Sequence, residues 1–481
     1  MLCATTLKIR FFFDIKKGLP LNVPKQLKKL QSCNFFGSIL NDKSTRMASL
    51  AIIQSGLITL IVRALGFTRE LLIAFYFGVS ETIDTYVLLI LALTFFVVPV
   101  SGSFSTLLTP RYIQFDDDNQ LYHAASLFKK TLLITTLFVI FVEFLQLILL
   151  TLLPSAWTVG LPTLFESYWI ALVPIALFSA ISSVTGGILV GQGRVKTYTC
   201  LPATVTITII ASLLLYSSTN LHLALIFGTL AGFAAEMLAN LTAVRKLLLI
   251  SHRGLLSTAD NFRGMLVKMP MLVGSAIIMN ACIIVDQIMA VLAGPGSVAA
   301  VSFGNRLTLG LISITAVIWV VLYPVFSRLV SQKNFNHLRQ QLFQNAVLAL
   351  VLGMPICGLI AYFSPEITRL LFERGEFDPA ATELVSEIQM FYVLHIPLYV
   401  VVMICIKVAN AFQNNSYLMI ANLVSLILNV AFNLLFIRWM GVVGIALATL
   451  VSYSFMVIFW LVIANRLITN HHSYHLCQKD T

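Results

Sequence analysis

The chain has 481 residues, of which 58% are apolar and only 11% are charged, and its formal net charge is +11. A soluble globular protein carries about a quarter charged residues, so this chain cannot cover a soluble surface. Its Lys and Arg residues lie in short loops and near the N-terminus, not in a stripe interleaved with aromatic residues, which argues against nucleic acid as a partner. We predict an all-α polytopic membrane protein embedded in a lipid bilayer.

The apolar segments predict twelve transmembrane helices. A span needs about 20 mostly apolar residues, and residues 1–46 contain no such run, so we expect them to form a basic cytosolic extension. The predicted spans are 48–67, 84–109, 128–153, 167–191, 197–217, 221–248, 266–293, 298–328, 342–364, 383–411, 415–437 and 441–465.

The loops between these spans alternate in charge. Odd-numbered loops such as "SSTNLH" and "AGPGS" lack Lys and Arg, whereas even-numbered loops and the tail carry them. By the positive-inside rule this predicts cytoplasmic N- and C-termini. The exception is the segment 365–382, which holds two Arg and four acids and is predicted to be a structured outer loop.

An internal repeat divides the spans into two sets of six. Residues 223–247 correspond to residues 443–467, which lie 220 positions later. Repeats of this kind build many transporters around a midplane site, so we predict two six-helix lobes with a central cleft. The predicted divisions are an N-lobe at 47–250, a cytosolic linker at 251–264, a C-lobe at 265–466 and a cytosolic tail at 467–481.

Several charged residues lie within or beside the apolar segments. A charge at the bilayer centre costs about 2.5–3.5 kcal/mol on insertion scales, so such a residue usually faces a bundle interior or a wet cavity. We expect a functional role for Arg63, Asp84, Asp286 and Arg306. Structural alternatives are open for the others, as packed acids, a surface ion pair or a cation reaching the interface: Glu143, Glu236, Arg69, Glu70 and Lys407.

Cations from both lobes facing one cleft would attract an anionic substrate, and a diphosphate suits guanidinium groups, which bind phosphate oxygens bidentately. The sequence contains no Walker loop, HExxH or GxSxG motif, so we expect neither an enzyme nor a metal or organic cofactor. Without a nucleotide site, transport would draw on an Na⁺ or H⁺ gradient or on the membrane potential.

The stretch "RALGFTRELLIAFYFG", followed by "TIDTY", resembles the signature at the start of the MurJ/MviN flippase family, within the multidrug/oligosaccharidyl-lipid/polysaccharide exporter superfamily. The segments "SGSFSTLLTPRY" and "LLFERGEFDPAAT" are similar to later motifs of that family. Further similarities lie at 279–307 and 407–416, so the resemblance covers about residues 47–466.

The resemblance implies a monomeric flippase in the bacterial cytoplasmic membrane. Its substrate would be an undecaprenyl-diphosphate-linked saccharide, typically lipid II, the peptidoglycan precursor. The residues matching the family's functional charges are Arg63, Arg69, Asp84 and Arg306. Asp286, with Asn410 and Asn414, would match a sodium site of some members.

The chain departs from the family pattern at several positions. Phe96 and Val97 stand where the family has an Arg pair, and Ser101 and Asn305 replace acids. The family usually has fourteen spans, against the twelve predicted here. Two alternatives therefore stay open: a flippase for an O-antigen or exopolysaccharide lipid-linked oligosaccharide, and a drug/cation antiporter of the same superfamily.

Overall fold

The computed structural model describes residues 43–113, 121–152, 170–216, 220–250, 264, 266–267, 269–412 and 416–479. Residues 58–481 form one compact unit, to which everything below refers. The helices, in chain order from α1 to α17, are Lys43–Phe77, Glu81–Thr94, Val97–Ile113, Leu121–Leu152, Pro174–Gly191, Val195–Cys200, Ala203–Leu215, Leu221–Ala243, Arg245–Leu249, Met269–Ala293, Ser297–Ser331, Phe335–Tyr362, Ser364–Phe372, Pro379–Leu394, Ile396–Ala411, Ser416–Met440 and Val443–Lys479.

The predicted all-α polytopic architecture is confirmed. Within the described ranges, ten helical segments are long and apolar enough to cross a membrane, and the bent pair α2–α3 makes an eleventh. These segments correspond to the second to twelfth predicted spans. The first predicted span, 48–67, lies within α1, which is helical but not among those eleven. The predicted outer loop contains the short helix α13.

The second predicted span, 84–109, is broken rather than continuous. It forms α2 and α3, whose axes differ by 43°. Pro99 lies in the first turn of α3, where a missing N–H is tolerated because the first amides of a helix have no intrahelical partner. Proline therefore favours the start of a new helix here over a continuous span.

Small residues let neighbouring helices approach closely. A side chain at Gly187 of α5 would collide with Ser105 of α3, and the Gly187 carbonyl accepts a 2.9 Å hydrogen bond from Thr109. Gly232 of α8 similarly faces the backbone of Val205 on α7. Such small-residue contacts are the usual means of helix association in lipid, where apolar burial provides little driving force.

We refer to residues 58–250 as the first half and residues 264–479 as the second half. One hydrophobic cluster is shared between them, with Ile73 and Leu89 from the first and Val298 and Val385 from the second. A second cluster lies wholly within residues 319–468. The division into lobes at 47–250 and 265–466, with its linker and tail, stays a prediction.

Candidate functional site

The two halves are joined by a buried carboxylate that contacts two guanidinium groups. Glu70 and Arg69 are neighbours on α1 and form an ion pair. Arg306 of α11 brings its Nε within 3.2 Å of Glu70 Oε2, and its Nη2 donates to Ser302 at 3.2 Å. The group of Arg69, Glu70 and Arg306, which we call the cationic triad, holds two positive charges and one negative charge.

The two arginines of the triad are more exposed than the acid that they contact. The Glu70 side chain is only 7% exposed, whereas those of Arg69 and Arg306 are 23% and 30% exposed. The carboxylate therefore holds the two cations together while part of each arginine side chain stays exposed. Arg63 lies seven residues before Glu70, on the same face of α1 and about 11 Å along its axis. Its side chain is exposed.

A second inter-half contact is made by Asp84 at the start of α2. Asp84 Oδ2 accepts from Gly296 N at 2.6 Å, and Oδ1 accepts from Ala299 N at 2.7 Å. These amides form the first turn of α11, where donors lack helical partners and the helix dipole favours a negative charge. Gly296 has φ of +82° and packs against Val79, so the contact needs a residue without a side chain there.

Two further contacts lie at the same end of the bundle. The loop after α13 meets the end of α1, where Glu376 N donates to the Phe75 carbonyl at 3.0 Å. Gly375, with φ of +63°, leaves no room for a side chain beside that carbonyl. An aromatic cluster adjoins the triad, with ring centroids 5.6–6.2 Å apart: Phe67, Phe303, Phe372 and Phe377. We call the region formed by residues 75–84, 294–303 and 372–379 the closed end.

The second half contains a separate polar site around Asp286 of α10. Asn429 and Asn433 of α16 both donate to Asp286 Oδ1, at 2.9 and 2.7 Å. The Oδ1 atoms of both asparagines are buried and have no hydrogen-bond donor. The site therefore presents more acceptors than donors, and the two amide oxygens could complete a hard-oxygen shell for a cation if the amide groups rotated.

The predicted site residues thus fall into two groups. Arg69, Asp84 and Arg306 lie at or beside the inter-half contact, with Arg63 two turns away. Asp286 lies in the second half. Asn410 is on α15 and makes no hydrogen bond to Asp286, and Asn414 lies outside the described residues.

Sequence reasoning missed the asparagines that do contact Asp286. They are four residues apart in the apolar run "LILNVAFNLL", a spacing that places both on one helix face. That spacing was the signal that could have identified them. The role of Glu70 as the link between the two arginines was also missed, because its second partner is more than two hundred residues away.

The positions that depart from the family's Arg pair are explained by packing. Val97 is fully buried in the shared hydrophobic cluster, and Phe96 is exposed on the apolar exterior. A pair of arginines at these two positions would not share one polar surface. The cations of the triad are Arg69 of α1 and Arg306 of α11.

The chain is similar to known flippases and transporters. The family model described as "Lipid II flippase MurJ" matches residues 73–477. Two relatives named "Probable lipid II flippase MurJ" are 27% identical over 173 residues in Synechocystis sp. and 29% identical over 160 residues in Rhizobium meliloti. Those regions cover 36% and 33% of this chain, and the chain spans about a third of each relative's length, 32% and 30%.

Solved structures share the fold. A lipid II flippase MurJ in an inward closed conformation has a TM-score of 0.71 at 22% identity, covering 86% of this chain and 87% of that one. An inward-facing multidrug MATE transporter of the MOP superfamily has a TM-score of 0.67 at 13% identity, covering 87% and 99%. With a family model matched over most of its length, the chain belongs to the MurJ lipid II flippase family.

Proposed function

We propose that this protein moves an undecaprenyl-diphosphate-linked saccharide of the lipid II type from the inner to the outer leaflet by alternating access, without chemical change to the substrate. Family membership supports the lipid-linked substrate class. The observation that carries the proposal is the cationic triad, which places surplus positive charge between the two halves of a membrane-embedded bundle.

The triad suits a diphosphate for a geometric reason. A guanidinium group presents paired N–H donors that match two phosphate oxygens. Arg306 and Arg69 come from different halves, so a diphosphate bound by both would contact both halves at once. Glu70 keeps the two cations from repelling each other when no substrate is present, and Arg63 extends the positive surface along α1.

The contacts at the closed end must break and re-form during each transport cycle. The charge pattern of the loops predicts that this end faces outward, because it contains odd-numbered loops. The bonds of Asp84 and of the Phe75 carbonyl hold the halves together there. Release of substrate to the outer leaflet therefore requires these bonds to break, while the triad separates into its α1 and α11 parts.

Ion coupling is assigned to Asp286. The site has a carboxylate and two amide oxygens without donors, which fits a small hard cation or a proton. Bound Na⁺ or H⁺ would supply positive charge to the half-buried Asp286 carboxylate. Asn429 and Asn433 hold the carboxylate in place, and they connect α10 to α16, so a change at Asp286 would shift the packing of these helices.

The orientation, location and assembly are part of the same proposal. We infer a monomer in the bacterial cytoplasmic membrane with both termini in the cytoplasm. Reporter fusions after residues 160, 219 and 440 should read as external, and fusions after 195, 255 and 335 as cytoplasmic. Reversal at two or more sites would contradict the orientation.

The proposed substrate is tested by complementation. A bacterium is depleted of its own lipid II flippase, and this chain is expressed in its place. We expect growth to be sustained by the wild-type chain and lost in Arg306→Ala at equal membrane abundance. Failure of the wild-type chain despite correct insertion would reject lipid II and favour another undecaprenyl-linked saccharide.

A further inference from the structure

A buried acid in the first half has no partner. Glu143 of α4 is 7% exposed, and neither of its carboxyl oxygens has a hydrogen-bond donor. One turn further along α4, the Gln146 amide donates to the Ala92 carbonyl of α2 at 3.2 Å, while its own oxygen is buried without a donor. Three acceptor oxygens therefore lie within one turn of α4 without a hydrogen-bond donor.

The contact between Gln146 and Ala92 lies two residues before the end of α2, next to the break between α2 and α3. At the break, the carbonyl of Phe95 would normally accept from residue 99, which is Pro99 and has no N–H.

Cations of the surrounding helices are remote from Glu143. Helices α3, α5 and α9 pack against α4, and α5 has no titratable residue. The basic end of α4 is marked by Lys129, which donates to the Ile250 carbonyl at 2.9 Å and lies fourteen residues, or about 21 Å, from Glu143. The titratable residues of α4 and its neighbours lie toward that end or at the start of α2: Tyr122, His123, Lys129, Lys130, Arg111, Tyr112, Arg245, Lys246, Glu81, Asp84 and Tyr86.

We propose that Glu143, with the amide oxygen of Gln146, binds one monovalent cation, a proton or Na⁺. A buried set of acceptors without donors is costly unless a cation or proton occupies it, and carboxylate, amide and carbonyl oxygens are hard ligands that suit both. Its part in transport rests on the proposed function, since α2 also carries Asp84 of the closed end. Binding beside the α2–α3 break would connect cation occupancy to that contact.

Cation counting tests the site directly. The full-length chain with Asp286→Asn is purified into lipid nanodiscs, so that the site in the second half is silenced. Equilibrium binding of radioactive Na⁺ and the number of protons taken up on a step from mildly alkaline to mildly acidic pH are then measured. We expect one equivalent of Na⁺ or of protons to be lost when Glu143→Gln is added.

Glu236→Gln is the matched control, because Glu236 is a half-buried acid on α8 of the same half, and it should leave the equivalent assigned to Glu143 in place. Loss of Na⁺ identifies sodium as the ligand, and loss of one proton with unchanged Na⁺ identifies a proton. Equal Na⁺ and equal protons with and without Glu143→Gln would overturn the proposal.

Folding of each variant is checked by monodisperse elution from a size-exclusion column. If Glu143→Gln does not fold, Glu143→Asp provides the second test, because it keeps the charge but withdraws the carboxylate by one methylene. It should weaken binding several-fold, and unchanged affinity would overturn the proposal. The result is independent of substrate identity, since complementation can fail while the cation is still counted.

Discussion

Two acids in this bundle, the buried Asp84 at the closed end and the half-buried Asp286 in the second half, accept hydrogen bonds from different kinds of donor. Asp84 accepts from two backbone amides of a helix N-terminus, which cannot rotate away. Asp286 accepts from two side-chain amides whose own oxygens are left without donors. A carboxylate held by backbone amides forms a fixed contact between the halves. One held by asparagines leaves amide oxygens without donors, which is what the proposed cation site requires.

Glu70 is a third acid to compare, because its carboxylate pairs with the guanidinium groups of Arg69 and Arg306. Arg306→Ala removes the cation that α11 contributes, leaving a neutral Arg69–Glu70 pair without surplus charge. Losing hydrogen bonds to a charged phosphate costs about 1.5–3 kcal/mol, so we expect transport to fall roughly 10- to 100-fold. Initial flipping rates check this at equal protein density.

Arg369→Ala is the control for that variant. Arg369 pairs with Glu373 on the surface of the same end, at 3.3 Å and 75% side-chain exposure. Exposed pairs contribute little, so its rate should match the wild type. Equal rates in Arg306→Ala and Arg369→Ala would contradict a substrate role for the triad.

Asp286→Asn tests the second acid. The new amide can still accept from Asn429 and Asn433, so the protein should fold while losing the charge that attracts a cation. Coupling between two sites is typically worth 1–3 kcal/mol, and we expect about a tenfold loss of cation-stimulated rate. The ratio of rates with and without an imposed Na⁺ or H⁺ gradient measures it.

Asn422→Ala provides the comparison for Asp286→Asn. Asn422 joins the same two helices by a 3.3 Å bond to Ser275 but touches no carboxylate. It should keep the gradient response of the wild type. A wild-type response in Asp286→Asn as well would remove that residue from the coupling mechanism.

Asp84→Asn should have the smallest effect of the three. The amide can replace only one of the two bonds to α11, and losing a helix cap costs about 1 kcal/mol. We expect about a fivefold shift of the population toward opening of the closed end. Alkylation rates of a cysteine introduced at Ser80, beside this contact, report the population.

Asp378→Ala separates this shift from ordinary helix stability, because alanine has no side-chain acceptor to cap the helix. Asp378 caps α14 through a 2.7 Å bond from Ala381 N, within one half. Its substitution should lower thermal stability without changing the alkylation rate. If both variants change alkylation equally, the Asp84 contact is a local cap and does not hold the halves together.

The fold was accessible from sequence because apolar length and loop charge are local signals. Eleven of the twelve predicted spans correspond to segments able to cross a membrane. Continuous apolar runs concealed breaks inside several of them, including those between α2 and α3, between α6 and α7, and between α14 and α15. The charged residues were recognisable individually, since charge is rare in such segments.

The hydrogen-bond partners of those charged residues could not be predicted from the sequence. Asp84 is bound by backbone amides, which every residue possesses and no sequence pattern reveals. Asp286 is met by Asn429 and Asn433, although Asn410 and Asn414 were favoured by resemblance. Both pairs have the same four-residue spacing, so that signal marks either pair as a candidate. Which pair contacts Asp286 depends on which helix packs against α10, and that helix is α16.

We propose that the cationic triad recognises the diphosphate of a lipid-linked saccharide. The most direct measurement is leaflet exchange of a fluorescent undecaprenyl-diphosphate-linked sugar in proteoliposomes, compared with its monophosphate counterpart. We predict fast exchange of the diphosphate lipid by the wild-type chain, slow exchange of the monophosphate lipid, and loss of this preference in Arg306→Ala. Equal exchange of both lipids by the wild-type chain, or an undiminished preference in Arg306→Ala, would contradict the account.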